Sequence, residues 1–334
     1  MKYFLLIISV ISFLGCMQED EDTSEISEVT TVSWTEIDTI DVGEFNSDIE
    51  TDKLTLDVGV YFPSNFDEEF DKVTLKNLMN SLRAAKEIYK PTDVQINLLW
   101  VKTGKINPKY FSIQANKVPG IPQTEYVNMY EHSRRHPSEL TPLAKEAFNS
   151  IVEDQENSHR RIFLVVLQDV FFPFLEVSEG RNWTMKSVRT GGLSFPTYSY
   201  VNQIPSRYRG IITISNLSRE DRLRGTVAHE IGHKVMNVSH EYKETNPGHE
   251  VYADGGLMLY GDGEDIPSGE EGRWHVERLY LSPFLYKLNE DSSKTWNDDY
   301  QEGGHYYDPI YGDYVVQFDG VPPIDEDWEL LICS

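Results

Sequence analysis

The sequence predicts an α/β (α+β) fold in which helices pack on a twisted mixed sheet. Segments with strand periodicity alternate with segments of helical periodicity from about residue 53. The most β-like of them, Arg160 to Phe172, is β-branched and aromatic through its middle and reads as a central strand. A helical stretch with an apolar stripe follows the last strand of the series. With 334 residues, 39% hydrophobic and 25% charged, the chain has an ordinary globular composition and enough length for a sizeable core. No internal repeat points to a solenoid or propeller. A formal net charge of -25 argues against nucleic acid, or an anionic membrane surface, as a partner for the body of the chain.

The first elements lie outside the fold. MKYFLLIISVISFLGC has Lys2, an apolar run from Tyr3 to Leu14, then Gly15 and Cys16, the layout of a secretory signal over residues 1–15. The run is shorter than the roughly 20 apolar residues that span a bilayer. Its Gly-Cys end resembles the bacterial lipobox, which implies lipidation of Cys16; a plain signal peptide is the alternative. Cys16 and Cys333 are the only cysteines, so lipidation of the first leaves no intramolecular disulfide. MQEDEDTSEISEVTTV is acidic and aperiodic, so residues 16–52 read as a flexible tether. The tether resembles the acidic export signal of Bacteroidota lipoproteins, which implies an outer-membrane protein facing outward. Residues 53–334 then form the folded part, in two subdomains that meet near residue 240.

Lys53 to Pro63 reads as a strand, and Val73 to Tyr89 as a helix with Leu75, Leu78, Leu82 and Ala85 on one face, stopped by Pro91. A second strand runs from Val94 to Gly104. A helix from Thr141 to Val152 has Thr141 as N-cap and Pro142 at its first position. Beyond the Arg160 to Phe172 strand, two more strands are expected, at Thr190 to Val201 and at Gly210 to Ser215. The glycine pair and Pro196 of the first suit a sheet edge, or equally a surface hairpin. Trp274 to Leu288 reads as a closing helix interrupted near Pro283, with His275 a packing or surface residue. Trp296 to Ser334 reads as irregular structure.

The chemistry is concentrated in SREDRLRGTVAHEIGHKVM. Ser218 is the candidate N-cap, and Leu223, Val227, Ile231 and Val235 line one side of the helix. His229 and His233, four apart, project from one face and can reach a single ion. Neutral imidazole suits Zn²⁺, which in catalytic sites takes three protein ligands and keeps a position for water. Glu230, beside the first histidine, is the candidate general base. His240 is the candidate third ligand, beyond a helix end at Asn237, a residue type that tolerates the left-handed backbone needed to turn the chain back. DGGLMLYG, Asp254 to Gly261, is a glycine-flanked turn carrying Met258 and Tyr260.

Together these residues resemble the metzincin clan of zinc endopeptidases, with its long histidine consensus followed by a Met-turn. Tyr260 two residues after Met258 is similar to the turn of astacins and serralysins, although Gly256 replaces their serine. His240 stands seven residues after His233 rather than six, and Met236 replaces the usual glycine. A helix one residue longer, ending at Asn237, would absorb that shift. Glu250, Glu277, His249 and Asp254 are the other candidates for the third ligand.

The resemblance implies a zincin-like fold and one catalytic Zn²⁺ held by His229, His233 and His240. It also implies hydrolysis of protein or peptide substrates by a water that Glu230 deprotonates. Tyr260 would donate to the oxyanion, or simply pack beneath the site, while Met258 would form the hydrophobic base under the ligands. A peptide would add as an extra strand along the Arg189 to Tyr200 edge. The acids of Gly261 to Gly272 miss the EF-hand spacing and read as a solvated loop rather than a Ca²⁺ site. Two rival classes share these residues. One is a binding or adhesion module whose metal is structural or lost; the other is a zinc amidase acting on a non-peptide substrate.

Overall fold

A computed structural model describes residues 32–115, 140–178, 182–195, 206–238, 256–259, 263–270, 272–297, 305–308 and 312–315. Its strands are β1 (Thr35–Glu36), β2 (Leu54–Pro63), β3 (Val94–Gly104), β4 (Ser112–Gln114), β5 (Ile162–Leu167), β6 (Asp169–Ser178) and β7 (Asn182–Thr190). They continue with β8 (Gly192–Phe195), β9 (Ile211–Ser215), β10 (Leu285–Leu288), β11 (Lys294–Trp296), β12 (His305–Asp308) and β13 (Gly312–Val315). The α-helices are α1 (Val42–Phe45), α2 (Leu75–Tyr89), α3 (Pro142–Ile151), α4 (Glu220–Val235) and α5 (Arg273–Tyr280).

The main sheet runs β1-β3-β2-β5-β9-β8. Its four central strands, β3, β2, β5 and β9, are parallel, and β8 closes the order antiparallel to β9. Side-chain alternation divides each central strand between two cores. Ile162, Leu164 and Val166 of β5 join Ile212 and Ile214 of β9 in a core completed by α2 and α4. Phe163, Val165 and Leu167 point the other way and pack with Ala144, Ala147, Phe148 and Ile151 of α3. Both faces are thus covered, which is why β5 reads as an unbroken apolar run. The architecture is mixed α/β, with a mixed sheet between helices.

Local signals place two of these helices where the sequence predicts them. The Thr141 hydroxyl caps α3 by accepting from the Ala144 amide at 3.0 Å. On α2, Leu78, Leu82 and Ala85 are fully buried, and Tyr89 at its end donates to the Ala228 carbonyl of α4 at 2.8 Å. That bond joins the two helices beneath the sheet one residue before His229.

Four expectations need correction. Arg160 to Phe172 is not one strand: after Leu167 the Gln168 and Asp169 amides both donate to the Phe111 carbonyl, at 3.0 and 2.9 Å. The chain leaves the main sheet there, and β6 enters a second sheet of order β4-β6-β7. Trp274 to Leu288 is not one interrupted helix, since α5 ends at Tyr280 and Leu285–Leu288 is a strand paired with the start of β2. Asp57, fully buried on β2, ties down that end of the sheet through Tyr286 Oη at 2.7 Å, Asn97 Nδ2 at 2.8 Å and Lys294. Residues 32–52 are folded onto the domain rather than forming tether: β1 pairs with β3, Phe45 is buried, and Ile37, Ile40 and Val42 pack on the core. A few scattered apolar side chains suffice for this, without the periodicity that marks an element in sequence. Finally, Trp296 closes β11, which pairs with β10, and β12 pairs with β13, so the C-terminal stretch is not wholly irregular.

Candidate active site

Helix α4 lies on the sheet through Leu223, Val227, Ile231 and Val235, all at most 1% exposed. With each residue turning the helix by about 100°, that anchorage puts His229 and His233 together on the adjoining flank. Their ring centroids are 4.6 Å apart and the ring planes stand at 88°. The helix start differs from expectation. Arg219 is the N-cap residue, with no side-chain capping bond, while Ser218 donates instead to the Gly191 carbonyl at the mouth of β8. A serine suited to local capping is thus used to tie the helix to the edge strand.

Both imidazoles are oriented through Nδ1. His229 Nδ1 lies 2.7 Å from the Leu257 carbonyl oxygen, and His233 Nδ1 lies 2.8 Å from that of Val238. A carbonyl only accepts, so Nδ1 carries the proton in each ring and the lone pair is on Nε2. That is the tautomer in which an imidazole ligates a metal, and a backbone carbonyl behind the ring is the usual way of fixing it. Burial also holds the pKa of His229 below its ordinary value, against the opposing effect of the Leu257 bond.

The two carbonyls come from two turns. α4 ends at Val235, with Met236 as C-cap, and Asn237 takes the left-handed conformation at φ 50°. The helix is therefore two residues shorter than one ending at Asn237, and the reversal at Asn237 brings Val238 back onto the His233 ring. Arg278 of α5, itself buried, donates from Nε to the Met236 carbonyl at 2.9 Å and secures this helix end. The other turn holds Leu257, Met258 and Leu259, all buried, and is closed by the Leu259 amide on the Gly256 carbonyl at 2.9 Å. Met258 sits against Gly232 of the histidine motif; a Cβ there would stand 2.5 Å from Met258 Sδ and 3.2 Å from Tyr89 Oη. Gly232 is thus the gap that lets the turn approach the helix.

Glu230 points under the edge strand and is only 6% exposed. Its carboxylate lies between two residues of β8. Oε2 is 2.8 Å from Ser194 Oγ, and Oε1 is 2.6 Å from where a Cβ would stand on Gly192. Burial pushes its pKa from 4.5 up to about 8, while the Ser194 hydrogen bond and the charge of Lys234 pull it down. Lys234, one turn further along α4, is fully buried and held well below its ordinary pKa by burial.

His229, Glu230, His233 and Met258 are therefore gathered at the C-terminal half of α4. His240, Tyr260 and Cys16 lie outside the described residues, as do Glu250, His249 and Asp254. Glu277 is exposed on α5, 3.8 Å from Arg273 Nε. His275 is buried and stacked on Trp274 with ring centroids 3.7 Å apart, the packing role expected of it. Among the described residues no group of three or more histidine, cysteine or acidic side chains is arranged to hold a metal. Sequence reasoning missed Ser194, Lys234 and Arg278. Strand alternation would have placed Ser194 on the Gly192 face, but the sequence does not say which helix lies beneath that face.

The sequence matches no known family model, and a search of curated proteins finds no significant relative.

Proposed function

We propose that the chain is a zinc-dependent endopeptidase of zincin-like fold and metzincin type, hydrolysing proteins outside the cytoplasm from a lipid anchor at Cys16. One observation supports this above the others: both histidines of the motif donate through Nδ1 to backbone carbonyls, with a buried carboxylate beside them. Two imidazoles four apart on a helix, each in the ligating tautomer, form a donor set that fits Zn²⁺. His229 and His233 would hold the ion, with His240 the third ligand in the proposal. Bound zinc supplies Lewis-acid polarisation of the scissile carbonyl and a more acidic water.

The chain's own residues do the rest. Glu230 takes a proton from the attacking water and returns it to the leaving amide nitrogen. β8, outermost in the described sheet order, offers its outer edge to an extended peptide, which would lie beside the strand that carries Ser194 over Glu230. Tyr260 is assigned the oxyanion hydrogen bond in this reading. A purely structural metal site needs no general base, so Glu230 beside the histidines favours an enzyme over a binding module.

The test is cleavage of a diverse peptide library by the zinc-loaded chain, read by mass spectrometry before and after chelation. Cleavage that chelator abolishes and zinc restores supports the proposal. Persistent cleavage under chelator, or none with zinc bound, refutes it.

A further inference from the structure

We propose that Ser194 is a positioning residue for Glu230, holding the carboxylate under the edge strand in one orientation while it accepts and releases its proton. The inference rests on the peptidase reading of the site.

Three observations carry it. Ser194 Oγ is 2.8 Å from Glu230 Oε2 and 2.7 Å from the Glu230 backbone carbonyl, so one hydroxyl meets both the carboxylate and the main-chain carbonyl of the same residue. Ser194 is itself 8% exposed, on a strand whose neighbour on the same face, Gly192, has no side chain to crowd the acid. And Ser218 and Ser215, donating to the Gly191 and Thr190 carbonyls, tie the entry of β8 to the start of α4 and the end of β9, so Ser194 acts from a fixed strand.

The hydroxyl suits both states of the acid. When Glu230 is ionised, Ser194 donates to Oε2. When Glu230 is protonated, its O–H donates to Ser194 Oγ and the serine donates on to the Glu230 carbonyl. The carboxylate therefore keeps a partner, and its orientation, through proton uptake and release. Oε2 is the held oxygen, and Oε1, in the space left by Gly192, is the one that works on the water. Because an incoming peptide would pair with this same strand, occupancy of the edge also bears on the placement of the base.

The experiment compares the full chain, purified in detergent and zinc-loaded, with Ser194→Ala, Ser194→Thr and Ser194→Val. Zinc stoichiometry and thermal melting are measured for each. General acid–base catalysis contributes on the order of 10²–10⁴-fold. Misplacing the base is expected to lower kcat at least about tenfold in the alanine variant, with KM changed less than about twofold. Thr and Val have the same shape, so packing cancels between them; threonine should restore most of kcat and valine should not. A crystal structure of Ser194→Ala should show the Glu230 carboxylate moved from its place below β8. Equal kcat in the threonine and valine variants, unchanged kcat in the alanine variant, or an unmoved carboxylate overturns the inference. If the parent chain cleaves no peptide but the carboxylate still moves in Ser194→Ala, the positioning stands and the peptidase reading falls.

Discussion

His233 donates from Nδ1 to the Val238 carbonyl at 2.8 Å, across a chain reversal made by a single left-handed residue, Asn237 at φ 50°. The bond makes the backbone that leaves the helix into the support of the ring the helix carries. Any substitution that spoils the reversal would reach the proposed metal site without touching either histidine.

Asn237→Gly should therefore keep the reversal, since glycine adopts positive φ freely, and lose only what the buried Asn237 side chain contributes. Asn237→Val should cost about 1–2 kcal/mol of stability, the penalty of a left-handed residue with a crowded Cβ. Its zinc affinity should fall about tenfold or more as the Val238 carbonyl leaves the ring. Urea melts of the metal-free protein and a competition titration with a zinc chelator read the two effects separately.

Gly232→Ala sets two effects against each other. Alanine gains roughly 1 kcal/mol in helix propensity. The new methyl, however, would stand 2.5 Å from Met258 Sδ and 3.0 Å from Met236 Cε, and overpacking of this kind costs about 1–3 kcal/mol. The clash wins by about 1 kcal/mol, so the melting temperature should drop, and Met258→Ala in the same background should recover part of the loss.

Glu230 sets a pH dependence for the metal-free protein. Its folded pKa, about 8, lies above the unfolded 4.5, so the folded state binds more protons across that window. Stability contributed by this group is then present at acid pH and lost as pH rises from 4.5 to about 8, at most about 1.4 kcal/mol per pH unit. Glu230→Gln removes that dependence. Lys234, whose pKa burial holds well below its ordinary value, contributes with the opposite sign in the parent, so the comparison to make is variant minus parent. The variant's advantage should widen with rising pH, as read by denaturant melts at each pH. A constant difference would show that Glu230 is not held protonated by its surroundings.

The legible parts of this molecule were those carried by periodicity and short-range chemistry. The β2, α2 and β3 series, the Thr141 cap and the i, i+4 histidines all follow from spacings within one element. Where the physics is long-range, the sequence was mute or misleading. Nothing between Leu167 and Asp169 marks the exit from the main sheet, because the determining partner is Phe111, far back in the chain. Ser218 has the right chemistry to cap α4 but binds Gly191 instead. Pro283 signals a stop, yet it takes pairing with β2 and β11 to make Leu285–Leu288 a strand. Ser194 and Glu230 are 36 residues apart, and their contact exists only because β8 is laid over α4.

The most direct measurement is hydrolysis of the peptide library by the parent chain and by Glu230→Gln, each shown beforehand to bind one zinc. If the chain is a zinc peptidase with Glu230 as its base, the parent cleaves and the variant loses at least about a hundredfold at unchanged zinc content. Equal activity in the two, or no cleavage by a zinc-loaded parent, rules that out.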